Sequence, residues 1–85
     1  MPFHHIRLDQ PAGYTIKVQG RLNRDFSDWF AGEVRCAIEI GEDGQALTVL
    51  TGVVLDQAAL HGLLTQIRDI GLPLILVELF QSIEN

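Results

Sequence analysis

His61 is the residue best suited by type to carry a proton, because imidazole titrates near neutrality. It sits in the run DQAALHGLLTQIRDI, beside a stripe of leucines, with Gln57 and Thr65 four residues to either side. General acid–base or nucleophilic chemistry needs a second titrating group or a nucleophile within reach. The sequence places none there, so His61 reads as a boundary histidine bonded to backbone or to a neighbour. His4 and His5, with Asp9, are metal-ligand types. Adjacent histidines in a strand point to opposite sides, and structural zinc wants four ligands at defined spacing, so no metal is expected. Cys36 is the single cysteine, which leaves no intrachain disulfide and no cysteine-based zinc site. Phe26, Trp29 and Phe30 could wall a pocket, and Trp29, Tyr14 and His61 are the candidate ligand-binding residues. An aromatic stripe at helical spacing is more often core. The glycines form no phosphate-binding loop, and no nucleophile elbow or H-E-x-x-H pattern occurs. An anion site at Thr51-Gly52 is disfavoured by the negative charge of Asp56 at the following helix start. No catalytic residue and no cofactor is expected.

The elements that must position these residues follow from hydrophobic period. In YTIKVQGRL, Tyr14, Ile16, Val18 and Leu22 fall on one face and Thr15, Lys17, Gln19 and Arg21 on the other, the pattern of a half-buried strand. In NRDFSDWFAG the period changes. Phe26, Trp29 and Phe30 at i, i+3, i+4 predict a short helix, capped by Asn23 or Asp25 and ended by Gly32. Val34 to Val54 reads as a hairpin around Asp43-Gly44, a preferred primed-turn dipeptide. A two-residue loop pairs Ile40 with Leu47, Ile38 with Val49, Cys36 with Thr51 and Val34 with Val53 on the core face. Cys36 is then a small inward core residue, and Arg35, Ala37, Glu39, Thr48 and Leu50 take the opposite face. Asp56 to Gly71 is a second helix. Asp56 is its N-cap, Leu60, Leu63, Leu64, Ile67 and Ile70 are its stripe, Gly71 is its left-handed terminator, and Pro73 blocks continuation. LILVELF, Leu74 to Phe80, is the last strand, with Ile75, Val77 and Leu79 toward the core and Leu74, Leu76 and Phe80 outward.

The chain has 85 residues, 47% hydrophobic and 20% charged, a composition for folding rather than disorder. A chain of this mass buries roughly 60% of its surface, enough for one core. We read residues 1–13 as an N-terminal arm and 14–85 as a single α+β domain. Six basic against eleven acidic residues leave a net charge of −5, which argues against binding a phosphate backbone. No export signal is visible in MPFHHIRLDQPAG, and Leu74 to Val77 is far short of the roughly 18 apolar residues of a membrane span. With a free cysteine, these features lead to an expected cytoplasmic location. The order strand, short helix, strand, strand, helix, strand predicts a ferredoxin-like βαββαβ fold. Right-handed crossovers would place both helices on one face of a four-stranded antiparallel sheet of order 4-1-3-2.

The run VVLDQAALHGLLTQIRDIGLPLILV resembles a family of small uncharacterised bacterial proteins. In these a DQAALHGLL-type helix leads through a D-x-G-L-x-L turn into a final strand. The YTIKVQG strand, the D-W-F patch and a hairpin ending in TG are similar too, so the resemblance covers about residues 14 to 77. The arm and the tail VELFQSIEN depart from the pattern. The resemblance implies a ferredoxin-like α+β domain and transfers no activity and no functional residue.

Two classes of function are compatible with this reading. The first is a non-enzymatic interaction or regulatory module, a homodimer able to take a further protein partner or a small effector. Leu74, Leu76, Phe80, Leu50 and Ala37 form its expected apolar interface. The second is a small dimeric ferredoxin-like enzyme of isomerase or monooxygenase type, with His61 in a pocket. An enclosed pocket around His61 favours the enzyme; a filled interior with His61 exposed favours the module.

Overall fold

The computed structural model describes residues 10–82. His4, His5 and Asp9, and most of the expected N-terminal arm, lie outside them. The elements are β1 (Ala12–Gln19), a single 3₁₀ turn at Ser27–Trp29, β2 (Arg35–Ile40), β3 (Ala46–Val54), α1 (Gln57–Ile70) and β4 (Leu74–Ser82). The strands make one antiparallel sheet in the order β2-β3-β1-β4.

The two-helix ferredoxin-like arrangement is overturned, because the segment between β1 and β2 holds no α-helix. The local chemistry explains why. The Ser27 N–H donates to the Asp25 carboxylate at 2.9 Å, a side-chain turn that competes with helical backbone bonding. Two turns of helix are too short to persist on propensity. The aromatics find burial without it. Phe26 and Phe30 are 6% and 7% exposed, and Phe30 sits in extended backbone against Gly52. The segment is tied down at both ends. Fully buried Thr48 donates its hydroxyl to Gly20 O at 2.7 Å and accepts from the Leu22 N–H at 3.2 Å, and the Ala31 N–H donates to Val53 O at 2.7 Å.

One face of the sheet is covered by α1. The core joins Ala12, Tyr14, Ile16 and Val18 of β1 and Leu50 and Val54 of β3 to Leu60, Leu63 and Ile67 of α1. The helix begins and ends as its sequence dictates. Asp56 accepts from the Ala59 N–H at 2.7 Å, and Gly71 adopts φ +91°. Leu64 is only half-buried, whereas Leu63 is fully enclosed.

The hairpin register corrects the expected one. The loop is one residue longer: the Gly41 N–H donates to Gln45 O at 2.8 Å, the Gly44 N–H to Gly41 O at 2.9 Å, and the Gln45 N–H to the Asp43 carboxylate at 3.0 Å. Ile40 therefore pairs with Ala46, Ile38 with Thr48 and Cys36 with Leu50. Because side chains alternate, this one-residue change reverses β3. Thr48, Leu50, Gly52 and Val54 face the helix, while Leu47, Val49, Thr51 and Val53 face outward. Leu50 is thus 4% exposed, and it leaves the expected interface set. Cys36 is exposed rather than core, since every residue of β2 is exposed where a second helix would have covered it.

β4 carries two irregularities against β1, between Gly13 and Tyr14 and between Lys17 and Val18. The second pairs Leu74 with inward-facing Val18, so Leu74 turns to the helix side; Ile75 instead lies near Gln19 and Leu47 on the outer side. The expected facing of these two residues is reversed.

Candidate functional site

Among the described residues, no layer covers the outer face of the sheet. Its rows follow from the three strand registers. Arg35, Thr51, Thr15 and Glu78 form one cross-strand row, and Ala37, Val49, Lys17 and Leu76 the next. Glu39 and Leu47 stand in a third with Gln19. The apolar content is Ala37, Leu47, Val49, Val53, Ile75, Leu76 and Phe80, of which Ile75 is 51% and Phe80 50% exposed. Lys17 Nζ reaches Glu39 Oε2 at 3.1 Å across this surface.

Phe80 is held here by a glycine. A Cβ at Gly13 would stand 2.6 Å from the ring's Cζ, so only a bare backbone lets the ring lie over β1. Beyond the ring a recess of about 400 Å³ opens, bounded by Phe80, Thr51, Val34, Glu33 and Arg35. Two further glycines carry rings on the other side of the sheet. Gly52 lies under Phe30, and Gly62 of α1 lies under Trp29. Sequence reading did not single out these contacts. Their signal was available: glycine inside a strand or helix marks a close approach.

The expected interface residues are therefore divided. Ala37, Leu76 and Phe80 share the outer face, Leu50 is buried under the helix, and Leu74 lies on the helix side. The expected ligand-binding residues do not converge. Tyr14 is 6% exposed inside the core, and its hydroxyl accepts from Gln57 Nε2 at 2.7 Å. Trp29 is half-buried against Gly62. His61 is exposed and lines an open groove of about 500 Å³ with Leu64, Thr65, Arg68, Leu72 and Leu74, which contains neither of the other two.

The chemistry of that groove is sparse. The Thr65 hydroxyl donates to His61 O at 2.8 Å, so its proton is engaged by the helix backbone. Arg68 stands 3.6 Å from Asp69, both side chains well exposed. Neither neighbour gives His61 a carboxylate or thiol to work with. Asp25, elsewhere on the surface, is held below the ordinary carboxylate range by the Ser27 backbone N–H and hydroxyl. That contact serves a turn. Among the described residues no three His, Cys, Asp or Glu side chains are grouped to hold a metal ion, and no helix is long and apolar enough to cross a membrane.

A protein family described as a domain of unknown function (DUF8691) matches residues 13–78. No curated protein and no solved structure matches the chain.

Proposed function

Because the chain belongs to the DUF8691 family, whose description assigns no activity, we propose from its geometry that it is a non-enzymatic interaction module. It acts as a homodimer in which two copies meet through the outer sheet face. The observation that carries this reading is the outer face itself, where Ala37, Leu47, Val49, Val53, Ile75, Leu76 and Phe80 lie among polar residues, with Ile75 and Phe80 half exposed at 51% and 50%. Contiguous apolar patches of this kind mark interfaces.

A second copy suits the face in size and charge. Four strands roughly 5 Å apart and about eight residues long present roughly 500 Å² per copy, or about 1,000 Å² for a pair, the threshold of a specific interface. Every charged residue in the strands lies on this face: Lys17 and Arg35 against Glu39 and Glu78. They sum to zero although the chain carries −5, so two such faces approach without net repulsion. Covering the exposed half of Ile75 and Phe80 contributes roughly 1 kcal/mol per side chain in each copy before association costs.

Two features favour this reading over the enzyme. The core cluster is continuous from sheet to helix, and His61 stands exposed without a second catalytic group beside it. Light scattering after size exclusion tests the proposal. At micromolar concentration the expected mass is twice the 9.5 kDa of the chain. Leu76→Lys, on the face, should give a folded monomer. Ile40→Lys, on the exposed helix side of β2, should leave the dimer intact. A parent protein at the monomer mass would refute the reading.

A further inference from the structure

We propose that the two copies are related by a two-fold axis running parallel to the strands, which sets Arg35 of each copy against Glu78 of the other. This rests on the face-to-face dimer proposed above and assigns its geometry. The two residues stand at opposite ends of one row: Arg35 on edge strand β2, then Thr51, Thr15, and Glu78 on edge strand β4. A two-fold rotation about an axis along the strands, lying between the faces, exchanges left and right and leaves height unchanged. It therefore lays β2 over β4 of the second copy and the arginine end of the row over the glutamate end, twice per dimer. Among the described residues neither Arg35 nor Glu78 lies within ion-pair distance of an opposite charge.

Phe80 meets the same requirement by shape. Its backbone belongs to the β4 edge, but its ring lies inward over Gly13 of β1. The recess beside it, about 400 Å³, is walled by Phe80, by Thr51 of β3 and by Glu33, Val34 and Arg35 at the start of β2. Exchange of left and right carries a ring over β1 to a place over β3 of the opposite copy. Each Phe80 then enters the recess that the other copy's Phe80 helps to wall, and the two rings pack beside one another near the axis. An in-plane axis perpendicular to the strands fails on both counts. It lays β4 on β4, leaving Glu78 without a basic residue opposite, and it sets ring over β1 against β1 rather than against the recess.

A charge exchange tests the axis. Arg35→Glu and Glu78→Arg are each expected to weaken dimerisation at least tenfold in sedimentation, because each makes both edge contacts like-charged. An equimolar mixture of the two variants should form a heterodimer, seen by native mass spectrometry, because both edge contacts become complementary again. The double variant R35E/E78R should dimerise like the parent. Both positions are exposed strand edges, and circular dichroism of each variant checks that the fold is kept. Single variants that dimerise as tightly as the parent, or a mixture that yields no heterodimer, would overturn the axis. If Leu76→Lys is monomeric in the same experiment, the face-to-face reading survives that result. A monomeric parent overturns both.

Discussion

Alanine at position 62 should act in opposite directions depending on whether Trp29 is present. Gly62 lies in the middle of α1, where glycine costs about 1 kcal/mol relative to alanine. On propensity alone, Gly62→Ala would stabilise the protein. A Cβ there, however, would stand 2.8 Å from Trp29 Cη2 and 3.4 Å from Cε3, with Cζ3 nearer still. Carbon atoms do not approach so closely, so the ring must leave the helix or the helix must shift. Over-packing of this kind costs about 1–3 kcal/mol, which meets or exceeds the gain. The net expectation in the parent is a loss between about zero and 2 kcal/mol. With Trp29→Ala in place the obstruction is gone, and Gly62→Ala should then stabilise by about 1 kcal/mol. The coupling between the two sites is the difference, about 1–3 kcal/mol, readable from a double-mutant cycle. Urea denaturation followed by circular dichroism, at one fixed protein concentration because association adds to apparent stability, supplies the four values. If Gly62→Ala stabilises parent and Trp29→Ala backgrounds equally, the ring does not rest on Gly62. The account of how the β1–β2 segment is held to the helix then fails.

Three further outcomes can be checked with the same unfolding assay. Leu63→Ala, at a side chain that is 0% exposed, should cost about 2–5 kcal/mol, while His61→Ala, exposed on the same helix, should stay within about 0.5 kcal/mol; equal losses would reverse the assignment of the helix faces. Gly71→Ala should destabilise by roughly 1 kcal/mol or more, since φ is +91° there and a β-carbon disfavours that region. Asp56→Ala should cost about 0.5–2 kcal/mol by removing the acceptor of the Ala59 N–H, whereas Asp56→Asn, which keeps a cap oxygen, should cost much less.

The helix and its ends were legible in the sequence because everything that forms them is local. Asp56 caps a backbone N–H three residues away, Gly71 takes the left-handed turn within its own neighbourhood, and the leucine stripe repeats within four residues. β1 was legible for a related reason, since its apolar residues occupy one parity and its polar residues the other. β3 was not, because Leu47, Val49 and Val53 compete with Leu50 and Val54 for the core. That choice was made by a loop one residue longer and by Thr48, whose hydroxyl ties down Gly20 and Leu22 from across the sheet. The missing helix has the same origin. Phe26, Trp29 and Phe30 need burial, and their spacing is met equally by a helix or by a loop whose rings rest on Gly52 and Gly62. Those two glycines are distant in sequence and adjacent only after folding. Ala37, Leu76 and Phe80 could be placed outward by alternation, but the two irregularities of β4 turned Leu74 inward and Ile75 out. The row that joins Arg35 to Glu78 exists only when three strand registers are set together. Sequence by itself determined the elements whose partners lie within a few residues; the tertiary structure decided which face each strand shows, because a side chain's facing changes with a shift of one residue.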